Sequence, residues 1–185
     1  MTPEDQIPGV VLGRLQRHPD ARGSFAEAWR ASGGVVAPFA GVQANLSSSA
    51  AGVLRGLHLH RRQSDLWIVL SGVAFVALVD VRPMVDGSAA RPRIQTATLA
   101  RDETVTIPPL VAHGFLAIEP LELLYLVTNE YDGTDELGFA WNDPLVTVPW
   151  PRELLSGREP LLSDRDQRNP SITELVAALR SAGPR

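Results

Sequence analysis

Apolar positions along the chain come in short runs that are rich in β-branched and aromatic side chains. Clusters of Gly, Pro and Asp separate these runs at intervals typical of an all-β sandwich or barrel. The runs predict strands at residues 8–14, 25–29, 41–46, 53–59, 66–70, 73–81, 93–98, 104–107, 114–118 and 122–128. The segments PDARG, MVDGSAARP and EYDGTDE are predicted to be turns or loops, because each combines Gly or Pro with side chains that cap a turn. The predicted fold class is therefore all-β.

The pattern changes after Trp141. The segment NDPLVTVPWP contains too much proline for a central strand, so we expect it to cover the sheets. Residues 171–182 carry apolar side chains at helical spacing behind Ser171, with Glu174 three positions further on. This arrangement predicts a capping box and a short C-terminal amphipathic helix. Since no repeat or linker divides the sequence, residues 1–185 are predicted to form one domain, with 145–185 as its covering segment and helix.

Composition and charge narrow the class of partner. The chain has 185 residues and a formal net charge of −4, and no basic run is longer than Arg61 and Arg62, which argues against binding to nucleic acid or to an anionic membrane. The longest apolar stretch, GVAFVALV, is far shorter than the roughly 20 residues that a membrane span requires, and no apolar targeting segment follows the N-terminus. Cysteine is absent, which fits a reducing compartment. We expect a cytoplasmic protein.

All 17 basic residues are arginine, and the sequence contains no lysine. Enzymes that form a Schiff base, bind pyridoxal phosphate or use a Walker-type phosphate loop need a lysine amine, so these classes are excluded. The absence of cysteine also excludes a thiol nucleophile. The side chains left for catalysis are histidine, carboxylates, tyrosine, serine and arginine.

The histidines suggest one hypothesis, a metal site. His58 and His60 are two residues apart on a predicted strand and should point to the same face. With Asp65, which four residues separate from His60, they resemble the first motif of metal-binding cupins, in which Glu is usual instead of Asp. PPLVAH, which ends at His113, resembles the second motif, with Leu110 in place of the usual Gly. Imidazole and carboxylate ligands suit Fe, Mn, Ni or Zn.

A second resemblance covers more of the chain, from residue 20 to 166. The sequence resembles the dTDP-4-dehydrorhamnose 3,5-epimerase family of nucleotide-sugar enzymes in eight segments that keep the family's order. These segments are DARGSF (20–25), QANLS (43–47), GVLRGLH (52–58), IPPLVAHGF (107–115), LLYLVTNEY (123–131), ELGFAWNDP (136–144), VPWP (148–151) and LSDRD (162–166). The resemblance implies a cupin-type jelly-roll barrel, usually a homodimer, that works without metal or another cofactor in deoxysugar biosynthesis. The implied substrate is a nucleoside-diphosphate 4-keto-6-deoxyhexose.

Epimerisation of such a sugar has defined chemical requirements. The ketone at C4 acidifies the C–H bonds at C3 and C5, so inversion needs a base on one face, an acid on the other and donors near the ketone oxygen. The family match implies that His58 is the base, that Tyr125 is the opposing acid and that Asp166 orients the imidazole. A carboxylate beside a histidine raises the basicity of the ring and fixes its tautomer.

Substrate binding is expected to depend on arginine, because a diphosphate favours planar bidentate donors. The family match implies binding roles around the nucleotide for Arg22, Gln43, Asn45, Arg55 and His113, with Arg22 contributed by the partner subunit. Arg55 and His58 are an odd number of positions apart, so a regular strand would direct them to opposite faces. A bulge at Gly56 would bring both to one pocket.

The sequence also departs from the family. Asp65 occupies the position of a lysine that helps to hold the ketone oxygen, and Glu130 stands where the family commonly has an aromatic residue. An ionised Asp65 would repel an enolate, so Arg55 or His60 becomes a candidate hydrogen-bond donor to the ketone oxygen.

We favour the epimerase, with no metal. A metal-dependent cupin oxygenase or isomerase that uses His58, His60, Asp65 and His113 stays an alternative, as does a catalytically silent sugar-binding cupin.

Overall fold

The computed structural model describes residues 6–33, 39–155 and 157–182. Within these residues the strands are β1 (Val11–Arg14), β2 (Arg17–Asp20), β3 (Gly23–Ala26), β4 (Gln43–Ser49), β5 (Leu54–Leu59), β6 (Asp65–Ser71), β7 (Val73–Asp80), β8 (Arg93–Ala100), β9 (Glu103–Ile107), β10 (Val111–Ala117), β11 (Leu121–Val127) and β12 (Leu137–Gly138). The helices are α1 (Arg82–Asp86), α2 (Asp164–Gln167) and α3 (Ile172–Ser181), with a 3-10 helix at Arg152–Leu155.

Ten of the strands form two five-stranded antiparallel sheets, and β2 and β3 form a separate two-stranded sheet. The first sheet has the order β1-β9-β6-β11-β4, and the second has the order β12-β5-β10-β7-β8. Apolar side chains from both sheets, among them Val69 and Leu123 of the first and Val76 and Phe115 of the second, pack into one buried cluster. This sandwich, with its short C-terminal helix, confirms the predicted all-β jelly-roll class.

The central strands of the second sheet are buried on both faces. Every residue of β10 is buried, so this strand lacks the alternation of a sheet with one face in water. The face of the second sheet that points away from the first sheet packs against Val146, Val148 and Trp150 of the proline-rich segment and against α3. Helix α3 begins after Ser171, which forms the predicted capping box with Glu174.

Some local predictions are wrong. The segment 17–20 pairs with β3 as an antiparallel hairpin, although it lacks the apolar alternation of a strand, and β3 ends at Ala26 instead of continuing to 29. The predicted loop MVDGSAARP overlaps helix α1, which has a proline in its first turn and ends at Gly87 in a left-handed conformation. The two-residue strand β12 was too short to predict.

None of the helices in the described segments is long and apolar enough to cross a membrane.

Candidate active site

A cavity of about 760 Å³ lies between the two sheets. Strands β4, β6 and β11 of the first sheet supply one wall, and β5 and β10 of the second sheet supply the other. The loop before β12 and the start of α2 complete the lining. Its volume falls within the roughly 300–1,000 Å³ range of small-molecule sites.

His58 on β5 is paired with Asp166 of α2. The Nε2 atom of His58 lies 2.6 Å from Oδ1 of Asp166. The hydroxyl of Ser163 donates to Oδ2 of the same carboxylate at 2.9 Å, and Ser163 caps the helix that carries Asp166. Burial would raise the pKa of Asp166, but hydrogen bonds from His58 and Ser163 hold it below the usual value. Since an ionised carboxylate can only accept, Nε2 of His58 carries the hydrogen and Nδ1 is left to act as a base.

Tyr125 lies on the opposite wall. It belongs to β11 of the first sheet, whereas His58 belongs to β5 of the second, and both line the cavity. Burial and the negative charge of Asp65 raise the pKa of Tyr125, against a smaller opposing effect of Arg55. The phenol is therefore protonated at neutral pH and can donate a proton.

The predicted irregularity at Gly56 is present. His58 pairs with His113 and Arg55 pairs with Phe115, so β5 has one more residue than β10 between these two pairs. Gly56 has a φ of +127°, and a β-carbon there would lie 2.6 Å from the Cα atom of Gly114. The bulge places both Arg55 and His58 in the cavity lining, as the sequence predicted.

Gln43 and Asn45 also line the cavity, from the edge strand β4. The side-chain amide of Gln43 donates to Oδ1 of Asn45 at 2.8 Å and accepts from the backbone N–H of Tyr131 at 2.9 Å. Arg22 does not reach the cavity of its own chain. It lies in the β2–β3 turn, where its exposed guanidinium pairs with Asp20.

His60, Asp65 and His113 form a second cluster in the same cavity. One ligand atom from each lies within 4.8 Å of the others, and His58 is not part of the group. Of the four residues in the alternative metal set, the structure groups these three, whereas His58 is hydrogen-bonded to Asp166. Burial lowers the pKa of His113 to about 4, against the charge of Asp65.

Three further polar residues of the site were missed from the sequence. Gln63 and Trp67 donate to the Asp65 carboxylate, and Ser163 supports Asp166. Two signals could have identified them. Residues 63, 65 and 67 are spaced at two-residue intervals, so they can share one face of an extended chain. Ser163 and Asp166 have the spacing of a helix cap.

A β-barrel with a histidine–carboxylate pair facing a protonated tyrosine across one open cavity is equipped for acid–base catalysis. Comparison with known proteins identifies the family. The family model for dTDP-4-dehydrorhamnose 3,5-epimerase matches residues 4–174 of the chain. The chain belongs to this family, as its sequence motifs predicted.

Individual relatives agree with this assignment. A dTDP-4-dehydrorhamnose 3,5-epimerase of Mycobacterium tuberculosis (strain CDC 1551 / Oshkosh) is 37% identical over 186 residues, which cover 95% of this chain and 89% of the relative. The solved structure of an epimerase from Mycobacterium tuberculosis superimposes with a TM-score of 0.80 at 32% identity and covers 94% of this chain and 88% of that chain. A Legionella pneumophila 3,5-epimerase, solved in complex with dTDP-4-keto-L-rhamnose, gives a TM-score of 0.78 at 28% identity over 94% and 93% of the two chains.

Proposed function

We propose that the cavity binds a nucleoside-diphosphate 4-keto-6-deoxyhexose and inverts C3, C5 or both. The observation that carries this proposal is the placement of the His58–Asp166 pair on one wall and Tyr125 on the other. The ligand named for the Legionella pneumophila relative, dTDP-4-keto-L-rhamnose, belongs to this substrate class. The reaction is an isomerisation within deoxysugar biosynthesis.

The proposed mechanism uses two proton transfers. Nδ1 of His58 removes the proton from the carbon beside the ketone, and the electron pair of the C–H bond moves into an enolate. The phenol of Tyr125 then gives its proton to the opposite face of that carbon, and solvent restores both side chains. Asp166 holds the imidazole in the required tautomer and stabilises the imidazolium that forms.

Nucleotide binding is assigned to the polar rim of the cavity. Arg55 lines the cavity, and its guanidinium donates to the hydroxyl of Ser49 at 3.1 Å. The planar donors of arginine suit a diphosphate. We assign Gln43 and Asn45 to contacts with the nucleotide as well, since both line the same cavity from β4.

The functional unit is proposed to be a homodimer. The β2–β3 hairpin is almost wholly exposed, and Phe25 on it has 68% of its surface in solvent. Because an isolated two-stranded sheet is marginally stable in water, a second copy that covers the hairpin would stabilise it. The same contact would bring Arg22 to the cavity of the partner subunit. The single domain and the cytoplasmic location stay predictions from the sequence.

The test of this function is proton exchange with solvent. The protein is incubated in D2O with dTDP-4-keto-6-deoxyglucose, and deuterium at C3 and C5 is followed by NMR. The proposal predicts incorporation at one or both carbons and the appearance of an epimer. A protein that binds dTDP but incorporates no deuterium at either carbon would be a sugar-binding protein without this catalysis.

A further inference from the structure

We propose that His60, Asp65 and His113 form a binding site for a divalent transition-metal ion between the two walls of the cavity. All three side chains line the cavity, and less than a tenth of each residue is exposed. Among the histidines and carboxylates of the described residues, these three form the one group whose ligand atoms lie within 4.8 Å of one another. The site is distinct from the His58–Asp166 pair.

The tautomers of the two histidines are fixed by backbone carbonyls. Nδ1 of His60 lies 2.6 Å from the carbonyl oxygen of Asp135, and Nδ1 of His113 lies 3.0 Å from that of Val111. A carbonyl oxygen can only accept, so both Nδ1 atoms carry hydrogen. In the neutral rings, each Nε2 atom then has a free lone pair. Metal-bound histidines generally donate their other ring N–H to a carbonyl or carboxylate in this way.

Both lone pairs face the same carboxylate. Nε2 of His60 lies 4.0 Å from Oδ1 of Asp65, and Nε2 of His113 lies 3.8 Å from Oδ2. These distances are too long for hydrogen bonds. Two imidazole lone pairs and one carboxylate therefore converge at the cavity lining. A cation placed between them would satisfy all three.

Asp65 is held as a metal ligand would be. The side-chain amide of Gln63 donates to Oδ1 at 2.8 Å, and the indole N–H of Trp67 approaches Oδ2 at 3.3 Å. Each carboxylate oxygen of Asp65 thus accepts from one donor outside the cluster and also faces the Nε2 atom of one histidine. Donors behind a ligating carboxylate fix its orientation in metal sites.

Two imidazoles and one carboxylate suit Fe²⁺, Mn²⁺, Ni²⁺ or Zn²⁺, and the cavity leaves room for further ligands. A tetrahedral ion with bonds of about 2.0–2.1 Å holds its ligand atoms about 3.4 Å apart. Because the ligand atoms lie within 4.8 Å of one another, no pair would have to approach by more than about 1.4 Å. Rotation of side chains can supply such a shift.

In the structure, a metal ion at this cluster does not require His58, so His58 can act as the catalytic base while the cluster binds the ion. From the sequence, the metal hypothesis included His58 as a ligand and explained only two segments of the chain, so the epimerase without metal was favoured. In the structure, His58 is engaged by Asp166, and the remaining three residues form their own cluster. An ion there would also place positive charge in a cavity where the lysine of the family is replaced by Asp65. That role rests on the proposed function, whereas binding of the ion does not.

Metal titration without substrate tests the proposal. Chelator-treated protein is titrated with Co²⁺, with visible absorption and calorimetry as readouts, and Zn²⁺ is then added as a competitor. We expect one equivalent to bind at micromolar concentration or below and to be displaced by Zn²⁺. Asp65→Asn and His60→Gln should weaken binding by more than about 100-fold, because changes behind the ligands alone cost about 10- to 100-fold.

His58→Gln is the matched control, since it alters a histidine of the same cavity outside the cluster. It should bind Co²⁺ as the wild type does, whatever its effect on epimerisation. In case a variant does not fold, nitrogen NMR of the wild-type imidazoles provides a second measurement, in which Zn²⁺ should shift Nε2 of His60 and His113 but not the ring of His58. The proposal is overturned by the absence of saturable binding up to millimolar Co²⁺, by wild-type affinity in folded Asp65→Asn, or by an equal loss in His58→Gln.

Discussion

Nε2 of His58 lies 2.6 Å from Oδ1 of Asp166, although 108 positions separate the two residues in the chain. One lies on a strand of the second sheet and the other on a four-residue helix near the C-terminus. The proline-rich segment and α3 pack on the same sheet, so the C-terminal region that covers the barrel also supplies a member of the candidate site.

Asp166→Asn should lower the exchange rate by about 100-fold, because the amide cannot stabilise the imidazolium and favours a different tautomer of His58. Solvent deuterium exchange under saturating substrate measures the effect. Asp164→Asn, a change of an exposed carboxylate on the same helix, serves as the control and should retain wild-type exchange. Equal rates for Asp166→Asn and Asp164→Asn would contradict the role of the pair.

The raised pKa of Tyr125 can be measured directly, since the chain has two tyrosines. In Tyr131→Phe, Tyr125 is the remaining tyrosine, and its tyrosinate absorption should develop with a midpoint above the usual value of about 10. The sign follows from burial and from the charge of Asp65, which both disfavour the phenolate. Asp65→Asn in the same background should lower the midpoint. A midpoint at or below the usual value would remove the argument that Tyr125 is a stable proton donor.

Arg55→Ala should weaken dTDP binding by about 10- to 100-fold, because a hydrogen bond to a charged group contributes about 1.5–3 kcal/mol. Isothermal titration calorimetry measures the affinity. Arg101→Ala removes an exposed arginine that does not line the cavity and is expected to bind dTDP normally. If the two variants bind alike, Arg55 does not contact the nucleotide.

Sedimentation equilibrium tests the dimer. The 20.0 kDa chain should sediment at twice its mass, and Phe25→Asp should shift it toward the monomer by placing charge in the proposed interface. Leu161 is similarly exposed, at 62%, but lies outside the hairpin, so Leu161→Asp should remain dimeric. A wild-type protein that sediments as a 20.0 kDa species would refute the dimer.

Most of the fold was predictable because its determinants are local. Apart from the two-residue β12, the strands of both sheets carry apolar runs bounded by turn residues, and α3 shows its cap at Ser171 and its apolar stripe in the sequence itself. Strand β2 was not predictable in this way. Its residues Arg17 to Asp20 are all exposed, so backbone pairing with β3 specifies the strand and no apolar pattern reveals it.

The site was predictable only in part. The family motifs led to His58, Tyr125 and Asp166, and strand geometry correctly required a bulge at Gly56. The sequence did not show that His58 would pair with Asp166 while His60 and His113 cluster with Asp65. This arrangement depends on where β5 ends and on contacts with residues far along the chain. His60 contacts the backbone of Asp135, whereas His58 contacts Asp166.

The central claim is that His58 is the base that removes the proton beside the ketone. Its most direct test is the rate of deuterium incorporation at C3 and C5 of dTDP-4-keto-6-deoxyglucose by His58→Asn, with His18→Asn, an exposed change on β2, as the control. We predict that His58→Asn loses about 100-fold or more at each carbon that the wild type exchanges, with unchanged thermal unfolding and dTDP affinity. Wild-type exchange by His58→Asn would contradict the account.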